Sequence, residues 1–177
     1  MLRVATARLV IRAMTDADAP ALAAYRGDPE IARYQGWDLP FTVADADRFV
    51  AGLADVRWPV FGGWYQCAID LGGAMIGDIG VNRAPDGREA AIGYTLAPEH
   101  HGQGYATEAV GAIVDVLFAE GVQRVKATVD PRNGVSARVL ERVGFGYEGR
   151  DVGSEIVRGE LVDNDRYVLG VEEHRQD

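Results

Sequence analysis

Three short apolar segments in the middle of the chain constrain its fold more than any other feature. They run from Trp64 to Leu71, from Ala74 to Val81 and from Glu89 to Leu96, and the steps Gly72-Gly73 and Pro85-Asp86-Gly87 separate them. Glycine pairs and Asp-Gly steps between apolar segments are typical of hairpin turns. The middle of the chain is therefore predicted to form an antiparallel meander.

The hydrophobic period changes after this meander. A helix that stops at Gly121 is predicted from apolar positions three and four residues apart, namely Val110, Ile113, Val114, Leu117 and Phe118. Asn133 is expected to cap a second helix that ends at Gly144. Further strands are predicted at Val125 to Val129, at about Tyr147 to Val157 and at about Leu161 to Val171.

The first third of the chain combines one strand with short helices. The strand is predicted at Arg8 to Arg12, where apolar side chains surround a strand-like centre. Helices are predicted to begin at Asp16 with Asp18, at Asp28-Pro29-Glu30, and at Thr42 or Asp45. Strands and helices in this order indicate an α+β fold, with a mixed but mostly antiparallel sheet flanked by helices.

The composition fits one domain over residues 1–177, with a polar C-terminal tail at about 172–177. Hydrophobic residues make up 47% of the chain and charged residues 25%, which is ordinary for a globular core. No apolar run approaches the roughly 20 residues of a membrane span, and the first residues lack the apolar stretch of a signal peptide. We therefore expect a cytoplasmic protein with no membrane partner.

The formal net charge of −9 argues against a nucleic-acid partner, because the phosphate backbone would repel such a chain. It agrees either with a cationic substrate drawn by the field of the protein or simply with solubility. The single cysteine, Cys67, lies in an apolar-rich segment, so no intrachain disulfide can form. A buried strand thiol is expected there, and a reactive thiol is the alternative.

A glycine-rich loop, Gly102-Gln103-Gly104-Tyr105-Ala106, lies between the third strand of the meander and the strongest helix. Small residues at this place let a ligand approach the backbone, while the free amides of the helix N-terminus favour an anion. The loop therefore predicts a diphosphate site that needs neither lysine nor metal. A tight connection that binds nothing explains the same residues equally well.

Two other phosphate-binding loops can be compared with this one. A dinucleotide fingerprint would also follow a strand, and Asp130 would stand near the place of its ribose-binding acid. Its third glycine would fall on Thr107, however, and the preceding segments predict an antiparallel meander rather than parallel units. A Walker loop is excluded because no Gly-Lys-Ser/Thr follows.

Taken together, the motifs resemble the GCN5-related N-acetyltransferase (GNAT) superfamily, in the branch of enzymes that acetylate ribosomal-protein N-termini. The match covers almost the whole chain. Its motifs are Thr6 to Arg12, Asp28-Pro29-Glu30 with Tyr34, Ile92-Gly93-Tyr94 with Pro98, His101 to Ala106, Asn133 with Ser136, Gly144-Phe145, and Asp163 with Tyr167. His101 replaces the usual first residue of the family's loop, a change that leaves backbone amides intact.

The resemblance implies a GNAT fold of about seven strands, in which the fourth and fifth strands splay apart near Leu96 and Val129. The pantetheine arm of acetyl-CoA is then expected between them. A primary amine would attack the thioester directly in a ternary complex. The acceptor is left open among a protein N-terminus, an aminoglycoside and another small polyamine. Succinyl-CoA is an alternative donor, and a non-catalytic acyl-CoA sensor is an alternative function.

The same resemblance assigns the acyl-CoA contacts. They are Leu96, His101, Gly102, Gln103, Gly104, Tyr105, Ala106, Thr107, Asn133 and Arg138. Asn133 is expected to contact the cofactor through its amide, with pure helix capping as the alternative. Arg138, together with Arg142 on the same helix, is expected to meet the ribose phosphate, although such arginines also occur on solvated helix faces. No metal is expected, because His100 and His101 lack a third ligand.

Catalytic groups are harder to assign, because two family positions differ. Many relatives carry a glutamate where this chain has Ala91, so Glu89, two residues earlier on the same face, becomes the candidate base. Glu155, Glu160 and a water chain are the alternatives. The usual tyrosine acid is replaced by Leu140, and Ser136 becomes the candidate donor to the leaving sulfur, with a capping role as the alternative.

Aromatic residues are expected to wall the amine pocket. They are Tyr34, Trp37, Trp64 and Tyr65, which fall in or beside segments that the family places over the acceptor. The alternative for each is a place in the hydrophobic core. A homodimer through the terminal strands is also possible, although no particular residue indicates it.

Overall fold

The computed structural model, which describes residues 1–174, contains eight strands and six α-helices. The strands are β1 (Arg3–Ala5), β2 (Val10–Ala13), β3 (Trp64–Leu71), β4 (Ala74–Arg83), β5 (Glu89–Leu96), β6 (Arg124–Val129), β7 (Gly146–Val157) and β8 (Glu160–Gly170). The helices are α1 (Ala19–Arg26), α2 (Pro29–Ala32), α3 (Val43–Gly52), α4 (Tyr105–Ala119), α5 (Gly134–Val143) and α6 (Val171–His174).

All eight strands belong to one sheet, in the order β1-β2-β3-β4-β5-β6-β8-β7. The pair β5–β6 is parallel, and the other neighbouring strands are antiparallel. The predicted mixed sheet and its central meander are therefore confirmed. The strand that raises the expected number of seven to eight is β1, whose three residues are too few for an alternating pattern to be recognised.

β5 and β6 pair only over their first halves. The paired positions are Glu89 with Arg124, Ala90 with Val125, and Ala91 with Lys126. Beyond them each strand keeps its outer neighbour, because β5 remains paired with β4 and β6 with β8. A gap therefore opens between β5 and β6, and the predicted splay of the fourth and fifth strands is confirmed at these two strands.

The larger hydrophobic core lies between the sheet and the pair α4–α5. The apolar positions predicted for α4 face it, since Val110, Ile113, Val114 and Leu117 are fully buried and Phe118 is partly buried. Cys67 is also fully buried there, as expected for a strand thiol. Burial raises the pKa of the Cys67 thiol to about 12, so this group stays protonated and unreactive at neutral pH.

A buried ion pair holds the second helical layer, α1 and α3, on the opposite face of the sheet. Arg26 at the end of α1 donates to Asp78 on β4, and the two side chains are 8% and 4% exposed. The guanidinium also lies 4.5 Å from the ring centroid of Trp37 and 4.6 Å from that of Phe49. Aromatic faces and one carboxylate thus solvate the buried charge.

The helix boundaries follow the expected capping signals. The hydroxyl of Thr42 accepts from Asp45 N, and Asp45 accepts from Thr42 N, so both candidate residues take part in one capping box. Asn133 caps α5 through Ser136 N, and Gly144 ends that helix in the left-handed region with φ of 104°.

The C-terminal end is partly helical rather than a simple tail. Residues 172–174 belong to α6, and His174 contacts Asp115 of α4 at 2.6 Å. Residues 175–177 of the predicted tail lie outside the described residues. Within residues 1–174, every helix is too short or too polar to cross a lipid bilayer.

The Asp78→Asn substitution is expected to lower the free energy of unfolding by about 3 kcal/mol or more, because it leaves the buried Arg26 charge without a counter-charge. Urea denaturation measures the change. The matched control is Asp47→Asn on the exposed surface of α3, for which a change within about 0.5 kcal/mol is expected. Equal stability of the two variants would contradict this role of the ion pair.

Candidate functional site

A cleft of about 770 Å³ opens where β5 and β6 separate. Its walls are the end of β5, the glycine loop with the first turn of α4, one face of α5 together with Asn133, and α2 with the loop after it. Predicted site residues that line this cleft are Tyr34, Leu96, His101, Gly102, Gly104, Tyr105, Ala106, Thr107, Asn133, Ser136 and Arg138. The structure thus brings together residues from four separate parts of the sequence.

The glycine loop presents free backbone amides to the cleft. Gly102 and Gly104 adopt φ of 75° and 82°, and Gly104 is the N-cap of α4. Among residues 1–174, no side chain caps this helix end, so the amides of its first turn point outward without an intrahelical acceptor. Thr107 Oγ1 is buried beside them and has no partner among the described residues. The helix end is therefore suited to hold an anion.

The loop is locked in place by residues from the N-terminal strand segment. Glu108 accepts from Thr6 Oγ1 at 2.5 Å, from Arg8 N at 2.9 Å and from Arg8 Nε at 2.7 Å. Arg8 also donates to the carbonyl oxygen of Gln103 at 2.9 Å and lies 4.5 Å from the ring centroid of Tyr105. These contacts have no local sequence signal, because about 100 residues separate Thr6 and Arg8 from the glycine loop and Glu108.

These contacts lower the pKa of Glu108. Burial alone would raise this pKa, but the hydrogen bonds from Thr6 and Arg8 and the charge of Arg8 lower it below its ordinary value of 4.5. The carboxylate is therefore charged at neutral pH and holds both partners.

Two loop side chains bind protein atoms. His101 Nε2 lies 2.9 Å from the carbonyl oxygen of Leu96, which can only accept, so this nitrogen carries the proton. The side-chain amide of Gln103 donates to the carbonyl oxygen of Glu99 at 3.1 Å. Gln103 does not line the cleft, although it was predicted to contact the cofactor, because its side chain and its carbonyl group are both engaged elsewhere.

The first turn of α5 forms the opposite wall of the cleft. Asn133 Oδ1 accepts from Ser136 N at 3.2 Å, so the oxygen of this amide caps the helix while its two N–H donors have no part in that cap. Ser136 Oγ lies 2.9 Å from the hydroxyl of Tyr94, which also donates to Ser136 O at 3.0 Å. Leu140, at the place of the usual tyrosine acid, is fully buried in the core.

Tyr94 was not predicted as a site side chain. It shares a face of β5 with Ala90, Ile92 and Leu96, and its ring packs on the large core while its hydroxyl reaches the cleft. Burial raises the pKa of Tyr94 to about 12, so its phenol stays protonated at neutral pH. The sequence signal for this role was that Tyr94 carries the one polar group on an otherwise apolar face of β5.

Glu89 lies apart from the cleft. It lines a separate depression of about 880 Å³ at the paired end of β5 and β6, where its carboxylate accepts from Lys126 Nζ and lies 3.9 Å from Arg124. Five residues along β5 separate it from Tyr94, which corresponds to about 16 Å. The structure therefore does not bring the candidate base together with Ser136, because Glu89 stands at the closed, paired end of β5 and β6.

Of the four aromatic residues predicted to wall the amine pocket, Tyr34 lines the cleft. Trp37 donates Nε1 to the carbonyl oxygen of Arg26 at 2.9 Å and stacks on that side chain, so it supports α1. Trp64 and Tyr65 are neighbours on β3 and point to opposite faces: Trp64 is 47% exposed, whereas Tyr65 is 3% exposed and packs against Trp58.

Comparisons with known proteins agree on one family. The model of the acetyltransferase (GNAT) domain matches residues 8–146. An uncharacterized N-acetyltransferase, p20 from Bacillus licheniformis, is 32% identical over 161 residues, which cover 89% of this chain and 90% of p20.

Solved structures give the same result. An acetyltransferase of the GNAT family from Bacillus anthracis superposes with a TM-score of 0.86 at 26% identity, over 97% of this chain and all of that one. Mycobacterium smegmatis RimJ in complex with CoA-disulfide has a TM-score of 0.81 at 28% identity, over 93% of this chain and 83% of RimJ.

The Glu108→Gln substitution is expected to lower the free energy of unfolding by about 1 to 2 kcal/mol at pH 7, because the charged acceptor of three hydrogen bonds is lost. The folded-state pKa of Glu108 is lowered, so its contribution is complete above 4.5 and is lost as pH falls through that lowered pKa. The difference between wild type and E108Q should therefore shrink in acid.

Urea denaturation of both proteins at several pH values measures this dependence. The control is Glu172→Gln, which removes an exposed carboxylate of α6 and should leave stability within about 0.5 kcal/mol of wild type. A difference between wild type and E108Q that stays constant down to strongly acidic pH would show that the charge of Glu108 is not the stabilising feature.

Proposed function

The chain belongs to the GNAT acetyltransferase family, and we propose that it transfers the acetyl group of acetyl-CoA to a primary amine by direct attack in a ternary complex. The acceptor is a protein N-terminus or a small polyamine or aminoglycoside. One observation carries this proposal: the free amides at the start of α4 and the hydroxyl of Ser136 line the same cleft, at the gap between β5 and β6.

The residues of this cleft fit the diphosphate of acetyl-CoA. Its charge complements the positive end of α4, whose first-turn amides and left-handed Gly104 leave room for close approach. Thr107 Oγ1, buried without a partner among the described residues, offers one more donor beside them. Arg138 and Arg142 line the cleft as well and can meet the remaining phosphate.

The gap itself fits the pantetheine arm. Past Ala91 on β5 and Lys126 on β6, the inner edges of the two strands have no strand partner in the part of the chain that the structure describes. Unpaired backbone donors and acceptors at such edges need other partners. Pantetheine contains two amide groups and is an extended chain, so it can add to these edges much as a peptide adds to a sheet.

Acetyl transfer in this cleft requires few side chains. The neutral amine nitrogen forms a bond to the thioester carbon, the carbonyl electrons move to oxygen, and a backbone amide at Tyr94 to Leu96 donates to that oxyanion. Collapse restores the carbonyl and breaks the carbon–sulfur bond, with its electron pair leaving on sulfur. The hydroxyl of Ser136 donates a hydrogen bond to this sulfur.

We assign the proton of the acceptor nitrogen to water. Glu89, the candidate carboxylate on β5, lies outside the cleft and binds Lys126, and the alternatives Glu155 and Glu160 do not line the cleft either. The open cleft gives water access to the reacting amine. At neutral pH only the small neutral fraction of an amine attacks, so the rate should rise with pH as more of the acceptor loses its proton.

The activity can be measured as the release of free CoA thiol from acetyl-CoA with a panel of peptide, polyamine and aminoglycoside acceptors. Selective release with one class identifies the acceptor and supports the proposal. Binding of acetyl-CoA without release above background for any acceptor would contradict it and would favour a non-catalytic acyl-CoA sensor. Parallel reactions with succinyl-CoA test the longer donor.

The Ser136→Ala substitution is expected to lower kcat about tenfold, because one hydrogen bond to the departing sulfur is lost, while KM for acetyl-CoA changes less than about twofold. Initial rates with the best acceptor of the panel measure both constants. Ser154→Ala, at an exposed serine of β7, is the matched control and should keep the wild-type rate. An unchanged kcat in S136A would remove Ser136 from the mechanism.

The Gly104→Ala substitution is expected to weaken acetyl-CoA binding about tenfold. A side chain at φ of 82° is strained, so relief of that strain is expected to move the amides of the first turn. Calorimetric titration measures the affinity. Gly111→Ala is the matched control, because a Cβ there meets no atom within 4 Å. Wild-type affinity in G104A would contradict binding of the diphosphate by the amides of the first turn of α4.

A further inference from the structure

The hydroxyl of Tyr94 contacts both oxygen atoms of Ser136. It lies 3.0 Å from the carbonyl oxygen and 2.9 Å from Oγ. Tyr94 belongs to β5, whereas Ser136 belongs to α5, which follows β6 in the chain. The contact therefore bridges the two sides of the gap, at the wall of the cleft where the thioester is proposed to lie.

The number of available protons limits which hydroxyl group donates in the contact between Tyr94 and Ser136. Tyr94 has one hydroxyl proton, and the carbonyl oxygen of Ser136 can only accept it. When Tyr94 donates to that carbonyl, the contact with Oγ must be donated by Ser136, so the serine proton points at the tyrosine. When Tyr94 donates to Oγ instead, the proton of Ser136 is free to point into the cleft.

We propose that Tyr94 is a positioning residue that turns the hydroxyl of Ser136 toward the leaving sulfur. As negative charge develops on sulfur, the phenol proton moves from the carbonyl oxygen to Oγ by rotation about the C–O bond. Ser136 then donates to sulfur while it accepts from Tyr94. No proton is transferred between Tyr94 and Ser136 in this step. The inference rests on the proposed acetyl transfer.

The chemistry of the two groups supports this assignment. A hydroxyl that accepts one hydrogen bond becomes a stronger donor in the next, so the Tyr94–Ser136 chain stabilises developing charge better than an isolated serine does. The ring of Tyr94 is packed against the core and cannot follow the serine freely. Without the phenol, the hydroxyl of Ser136 is free to turn to water or backbone oxygens instead of sulfur.

A purely structural role for Tyr94 makes a different prediction. If its hydroxyl only held β5 and α5 together, Tyr94→Phe would alter the cleft whether or not Ser136 has a hydroxyl. If Tyr94 acts through Ser136 Oγ, Tyr94→Phe should not lower kcat further in a variant that already lacks that oxygen. A double-mutant cycle distinguishes the two roles because it measures the coupling directly.

The experiment compares wild type with Y94F, S136A, Y94F/S136A and the rescue pair S136T and Y94F/S136T, in the CoA-release assay with the best acceptor. Acetyl-CoA affinity and the thermal unfolding midpoint are measured for each protein. Tyr147→Phe is the matched control, because Tyr147 is 57% exposed on β7 and lies outside the cleft.

We expect kcat to fall about tenfold in Y94F with acetyl-CoA affinity within about twofold of wild type. The double variant Y94F/S136A should match S136A within about twofold. In the S136T background, which keeps a hydroxyl, Y94F should again lower kcat about tenfold. Tyr147→Phe should keep the wild-type rate.

Losses that multiply in Y94F/S136A, or an unchanged kcat in Y94F, would overturn the positioning role. A loss of acetyl-CoA affinity or of thermal stability in Y94F that accounts for the lower rate would also overturn it, in favour of a structural role. These outcomes require an active wild type. A wild type that binds acetyl-CoA but releases no CoA would overturn the proposed transfer and this inference together.

Discussion

The early end of the parallel pairing between β5 and β6 is the constraint on which the rest of the site depends. Three residues of each strand pair, and then the two strands follow their outer neighbours instead of each other. The sheet stays intact on both sides, so the gap is held open without loss of the core. The cleft, the exposed start of α4 and the Tyr94–Ser136 contact all lie at this gap.

The opening creates an anion site in a strongly acidic protein. The formal net charge of −9 would repel the phosphates of acetyl-CoA at long range. The site counters this locally, with the positive end of α4, free amides and a left-handed glycine. Arg8 and Glu108 hold that helix end in place by neutralising each other, so the lock adds no net charge to the cradle.

Local signals in the sequence predicted the parts of this site that depend on one segment. The period of α4, the positive-φ glycines that flank it and the cap at Asn133 are properties of neighbouring residues, and all are present. Contacts between distant segments were not predictable in this way. The contact between Arg8 and Glu108 joins residues 100 positions apart. Glu89 lies at the start of β5, where β5 and β6 are paired and the gap is closed.

Binding of the acetyl-CoA diphosphate by the first turn of α4 can be observed directly by amide NMR of the isotope-labelled protein. Addition of acetyl-CoA should shift the amide signals of Tyr105, Ala106 and Thr107 most strongly. S-acetyl-pantetheine, which lacks the diphosphate, should leave these three signals in place while shifting those of β5 at the gap. Signals of residues 105–107 that do not move with saturating acetyl-CoA would show that the diphosphate does not bind at this helix end.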